Sequence, residues 1–167
     1  SAIHGMALGE LAAASGQISV AIGASAKATG ANSYAGGFKA ASGGTSSVAL
    51  GESAASSGDT SVAIGKDTVA SGGDGVSIGT SSQATGSDSL ALGKSAKASN
   101  SDSIAVGQDS VANNINSVAL GRGAQATGAS ANALGPQSTA SATFATAFGM
   151  SSVANQEYAI AIGGGSE

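Results

Sequence analysis

The side chains in this sequence that could do chemistry are few, and their spacing does not bring them together. His4 is the only histidine. That excludes imidazole-built metal cages, and any serine-histidine pair would depend on one residue near the start of the chain. There is no cysteine, hence no thiolate nucleophile, thiolate metal site or disulfide. Asp74, Asp88 and Asp102 recur at a constant interval, with Asn32 and Asn116 in the same register, and such a ladder of carboxylates could be imagined around Ca²⁺. Turn chemistry explains them more simply, because Asx side chains bond the backbone of a corner. Gly72-Gly73-Asp74-Gly75 matches part of a calcium-binding repeat but occurs once and with the wrong spacing. Gly121-Arg122-Gly123 lacks the following helix that would cradle a phosphate. The sequence therefore predicts no catalytic, cofactor-binding or metal-ligating residues, no cofactor and no enzyme activity.

The elements that would have to position any such residues are set by an unusual composition. Hydrophobic residues make up 41% of 167, yet there are only three Phe, two Tyr, two Met and no Trp. A conventional globular core, dominated by large side chains, is not expected. The 27 Gly, with much Ser and Ala, would suit a flexible linker, but charged residues reach only 10% and Pro136 is the single proline, which argues against a chain held open by charge or proline. Net charge is −4, with six basic residues spread singly. No patch exists that could neutralise a run of phosphates, so nucleic acid is not an expected partner. No apolar run approaches the ~18 residues of a membrane helix, and the start lacks a signal-peptide layout. Direct membrane contact by this chain is not expected.

An internal repeat explains the composition. Gly9, Gly23, Gly37, Gly51, Gly65, Gly79, Gly93, Gly107, Gly121, Gly135, Gly149 and Gly163 fall every 14 residues without insertion or deletion. Two places before each stands Ala in eleven cases and Ser77 in the twelfth. One and three places before stand mostly Val, Ile or Leu, so that the core phrase is Ser-Val-Ala-Ile-Gly. Alternating β-branched residues predict a short strand ended by a glycine corner. A second segment, such as Ala26-Lys27-Ala28-Thr29-Gly30 or Ala124-Gln125-Ala126-Thr127-Gly128, predicts a second strand with its own corner. The expected fold is all-β: a parallel β-roll, or solenoid, of about twelve 14-residue coils with two short strands each, forming one repeat domain over residues 1–167. Helix is excluded. At ~4.8 Å per strand the rod would be about 55 Å long.

The faces of the two strands differ. The second alternates Ala with polar residues such as Lys27, Gln83, Lys97 and Gln125, which predicts one buried and one wet face. The first carries large aliphatics on one face and Ala on the other, which predicts cover on both sides. Size suggests that Val20, Ile22, Val48, Leu50, Val62, Ile64, Val76, Ile78, Leu90, Leu92, Ile104, Val106, Val118, Leu120, Ile160 and Ile162 fill the roll. Each coil would then bury two large aliphatics worth roughly 1.5–3 kcal/mol apiece. Ala21, Ala49, Ala63, Ala91, Ala105, Ala119 and Ala161 would form a flat stripe against partner chains in a cyclic self-assembly. With the faces exchanged, self-association would still follow and only the core residues would change. Departures from the pattern fall at Tyr34, Gly36 and Phe38, and at Asn132, Phe144, Thr146, Phe148 and Tyr158; local repacking is the plain expectation there and a contact patch the sharper one.

These repeats resemble the YadA-like heads of trimeric autotransporter adhesins, whose motif is Asn-Ser-Val-Ala-Ile-Gly. Asn116-Ser117-Val118-Ala119-Leu120-Gly121 and Asn32-Ser33-Tyr34-Ala35-Gly36-Gly37 keep the leading Asn, whereas Asp88-Ser89-Leu90-Ala91-Leu92-Gly93 and Asp102-Ser103-Ile104-Ala105-Val106-Gly107 carry Asp. The resemblance runs from Gly5 to Gly163. It implies a left-handed roll, a parallel homotrimer, and a place at the tip of a virulence-associated surface fibre beyond the Gram-negative outer membrane. The stalk, neck and anchor would lie outside this sequence. It implies attachment to host cells, to matrix proteins of the collagen, fibronectin and laminin class, or to other bacteria. The motif residues are scaffold residues and do not mark a ligand site. Rival readings are a passive spacer rod, an ice-binding solenoid, which wants a regular outward array of Thr, and a hexapeptide-type acyltransferase, which needs a longer coil and a catalytic His.

Overall fold

A computed structural model describes residues 4–166; residues 1–3 and 167, the ends of the expected 1–167 domain, lie outside the described residues. Every coil contributes a three-residue strand, such as Val20–Ile22, and, up to Val153–Ala154, a two-residue strand, such as Lys27–Ala28. The three-residue strands form one 12-stranded sheet and the two-residue strands an 11-stranded sheet, each stacked in sequence order. Pairing is parallel and in register, Ala91 lying beside Ala105 and Ala105 beside Ala119. Each coil thus touches only its neighbours, the quasi-one-dimensional arrangement of a solenoid.

The backbone repeats at half the interval of the sequence motif. His4, Leu11, Ile18, Ser25 and Asn32 begin a run of left-handed residues at every seventh position, with Gly123 and Gly165 in the same series. Each coil is therefore two similar halves of the form small-x-small-x-Gly-x-left-handed. Corner amides stay in the ladder: Ser25 and Asn32 donate to the carbonyls of Glu10 and Gln17 one coil earlier, both at 2.7 Å. Pro136 follows Gly135 at a corner position whose N–H makes no backbone hydrogen bond in other coils among the described residues, so proline removes no bond there.

The two corner glycines act for different reasons. Gly93 has φ +131°, and an added Cβ would stand 2.7 Å from the Gly107 backbone of the next coil. Gly30 lies outside the left-handed region, but a Cβ there would collide with the carbonyl of Gly44. Where that second ladder carries Asn100 and Asn114 instead, their side-chain amides donate to the next coil's Asn113 and Thr127 carbonyls, at 2.5 and 3.2 Å.

The interior is made almost wholly of Ala and Ser, which reverses the expected assignment of faces. Ala21, Ala49, Ala63, Ala91, Ala105 and Ala119 are 0% exposed and Ala161 is 3% exposed; they point into the roll and not toward a partner. They meet Ala26, Ala28, Ala96, Ala98, Ala124 and Ala126 of the opposite sheet, all fully buried. Val20, Ile22, Val48, Leu50, Val62, Ile64, Val76, Ile78, Leu90, Leu92, Ile104, Val106, Val118, Leu120, Ile160 and Ile162, expected to fill the roll, lie on its outer face, half-buried or exposed. The physical reason is width. A half-coil of seven residues spends four or five on its corner, leaving sheets joined too closely for the larger aliphatics, and Thr68 is the bulkiest side chain fully buried among the described residues.

Buried serines are accommodated by the corners. Ser19, Ser61, Ser89, Ser103 and Ser117 donate to the carbonyl three residues earlier, and Ser110 and Ser138 do the same in the other half-coil. In some coils the hydroxyls meet across the interior, Ser42 with Ser47 at 2.7 Å and Ser77 with Ser82 at 2.8 Å. Ser33 is the exception, its buried Oγ having no partner.

Candidate interaction surface

Because strand residues alternate between faces, packing Ala inward places the two large aliphatics of each three-residue strand outward. They form two parallel rows along the 12-stranded sheet, shielded only by the same residues one coil above and below. Ile64, Leu92 and Leu120 remain 37%, 40% and 40% exposed. A continuous apolar face along a whole rod exceeds what soluble monomers ordinarily leave uncovered. The outer face of the other sheet is different in kind: Lys27, Gln83, Lys97 and Gln125 are exposed there, and water is a suitable neighbour.

The departures in the apolar face have local explanations in part. Gly36 makes room for Tyr34, whose ring would lie 2.9 Å from a Cβ at that glycine. Asn132 and Thr146 occupy adjacent coils in the row that elsewhere carries Val, Leu or Ile apart from Met6 and Tyr34, and are half-buried. Phe148, 54% exposed, stands next to last in the other row, beside Ile162 of the last coil. Phe144 and Tyr158 stack on a corner with ring centroids 5.0 Å apart. Both adopt left-handed backbone, φ 58° and 59°, at a cost of about 1 kcal/mol each that their stacking, about 0.5–1.5 kcal/mol, only partly offsets. Phe38 lies under Lys39 Nζ, 5.0 Å from its ring centroid.

The residues considered for chemistry remain apart. His4 is exposed. Asp74, Asp88 and Asp102, with Asn32 and Asn116, occupy one left-handed corner ladder with φ between 52° and 57°. Asx residues tolerate that backbone better than most, and this conformational reason replaces the expected bonding of their side chains to the corner: Asp74 accepts instead from the Thr60 hydroxyl of the preceding coil. No group of three or more His, Cys, Asp or Glu among the described residues is placed to hold a metal ion, and no pocket opens among them. No helix is long and apolar enough to cross a membrane. The half-length repeat was the feature that sequence reasoning missed. Its signal was present in the Ala-x-Ala-x-Gly of both half-coils, masked where Ser, Asn or Gln replaces Ala or Gly.

Fold and surface together define a repeat rod: a parallel β-solenoid with a small-residue interior and one aliphatic face. Residues 1–24, 14–40, 42–68, 70–96, 98–124, 126–152 and 151–166 match the YadA head domain repeat, and the chain belongs to that family. Among solved structures, it is similar to the collagen-binding domain of the Yersinia adhesin YadA, with 22% identity and a TM-score of 0.59 over 98% of this chain and 82% of that one. At that identity the likeness concerns the fold. No curated protein matches the chain. The domain is an adhesin-like head repeat.

Proposed function

We propose that this chain forms the head of a trimeric surface adhesin, a left-handed roll assembled in parallel about a threefold axis and displayed on a fibre beyond the outer membrane of a Gram-negative cell. The observation that carries this reading is the aliphatic outer face of the 12-stranded sheet, which the chain cannot cover itself. Burial of one large aliphatic is worth about 1.5–3 kcal/mol, and each coil presents two. Three copies facing a common axis satisfy all of them in a closed arrangement. The wet outer sheet and the corners then remain for a ligand.

The ligand class we assign is extracellular-matrix protein of the collagen, fibronectin and laminin type, or the surface of a host cell or another bacterium. Support comes from the family and from the fold shared with a collagen-binding domain. The test is binding of the assembled domain to immobilised collagen, fibronectin and laminin and to intact cells. Saturable binding to one of them supports the adhesin reading. No binding to any, from a correctly assembled trimer, would leave a stiff spacer that holds another domain away from the cell.

A further inference from the structure

The aliphatic face does not by itself tell a partner which way to run, since two rows of Val, Ile and Leu look much alike read upward or downward. The corner rows on either side of it do. On the flank that follows each three-residue strand, the row one place beyond the glycine carries Glu10 and Glu52 in its first third and then Lys66, Lys94 and Arg122, alternating with the neutral Thr80 and Gln108. On the flank that precedes each strand, the left-handed row carries Asp74, Asp88 and Asp102 over the same part of the rod. Lys66, Lys94, Arg122 and the three Asp are all exposed. Lys66 pairs with Glu52 at 3.2 Å, the one ion pair among the described residues, and Lys94, Arg122, Asp88 and Asp102 have no ionic partner among them. Asp67 and Asp109 sit one place further along, where the corner turns toward the other sheet.

We infer that these oppositely charged flanks orient the assembly, Lys66, Lys94 and Arg122 of one copy lying against Asp74, Asp88 and Asp102 of the next so that the chains associate in parallel and in register. The inference rests on the proposed trimer. Rotation about an axis parallel to the rod sets each basic flank beside an acidic one. Lys94 and Asp88 bracket the same strand, Leu90–Leu92, and therefore meet at one height. Lys66 with Asp74, and Arg122 with Asp102, are offset by one coil, about 4.8 Å. Turning one chain end for end sets like flank against like, and the charged stretch is near enough to mid-rod that like charges still overlap. Juxtaposed like charges suppress a wrong arrangement more than matched ones strengthen the right one.

The test compares the unaltered chain, the variant Lys66→Glu/Lys94→Glu/Arg122→Glu, and a charge-swapped variant that adds Asp74→Lys/Asp88→Lys/Asp102→Lys. Lysine is admissible in the left-handed corners, as Lys39 at φ 56° shows. Mass is followed by light scattering across a dilution series in low and high salt. Orientation is read by spin labels on Asn155→Cys, the only thiol in a chain otherwise without cysteine. Parallel copies bring these labels to one end, whereas antiparallel copies separate them by about 50 Å. The expected result is a parallel trimer for the unaltered chain and a trimer dissociation constant raised on the order of tenfold or more by the acidic variant in low salt. That difference shrinks in high salt, and the charge-swapped variant recovers parallel assembly. An acidic variant that assembles like the unaltered chain in low salt, or a folded charge-swapped variant that does not recover, overturns the inference and leaves the trimer standing. An unaltered chain that stays at 15.4 kDa overturns the trimer itself.

Discussion

Replacing Ala105 by valine tests the inward placement of the small residues directly. Ala105 is 0% exposed and is flanked by Ala91 and Ala119 in its own sheet, with Ala96 and Ala98 among the fully buried residues facing it. Two added methyl groups have no void to enter and must force the sheets apart at that coil. Overpacking of this kind costs about 1–3 kcal/mol, and a chain of this length shifts in Tm by about 2–4 °C per kcal/mol, so a fall of roughly 2–12 °C is expected. The measurement is thermal unfolding followed by circular dichroism at one fixed chain concentration, because assembly makes the midpoint concentration-dependent. Ala105→Ser is the matched control. Ser110 stands to residue 105 as Ser82 stands to Ser77, which meet at 2.8 Å. The new hydroxyl should find the same partner and leave stability within about 1 kcal/mol. If valine were as well tolerated as serine, or raised Tm, the alanine row would have to face outward and the account of the interior would be wrong.

Three further outcomes follow from the same geometry. Gly93→Ala should lose about 1–3 kcal/mol from its backbone conformation alone and more from the close approach of Gly107, seen as a lower Tm and as proteolytic nicking at that coil. Leu92→Ser combined with Leu120→Ser should leave the β circular dichroism spectrum intact while lowering the mass in solution toward that of one chain, since both residues lie on the outer aliphatic face; a trimer as stable as the unaltered one would count against that face as the interface. Ser33→Ala and Ser103→Ala should shift Tm in opposite directions by a few degrees. The first removes a buried hydroxyl without a partner, whereas the second removes a 2.5 Å bond to the Asn100 carbonyl, each change being worth about 1 kcal/mol. Shifts of the same sign would refute that pairing of the serines.

Much of this protein is legible without coordinates. The strict return of Gly23, Gly37 and their successors requires a coil of constant length. The Val-Ala-Ile phrase before each requires a strand, and the absence of insertions requires neighbouring coils to pair in parallel and in register. The lack of a usable histidine or thiol is equally plain. The direction of the faces is another matter. A period of two says that Val20 and Ile22 share one side of a strand and that Ala21 has the other, but it is indifferent to which side is inside. That choice depends on the distance between two sheets, which is set by corners too short to hold them far apart, and a distance between chain segments is a tertiary quantity. Only the folded coil shows that alanine is the largest apolar side chain its interior accepts, and that the aliphatics, with the charged rows beside them, are turned outward.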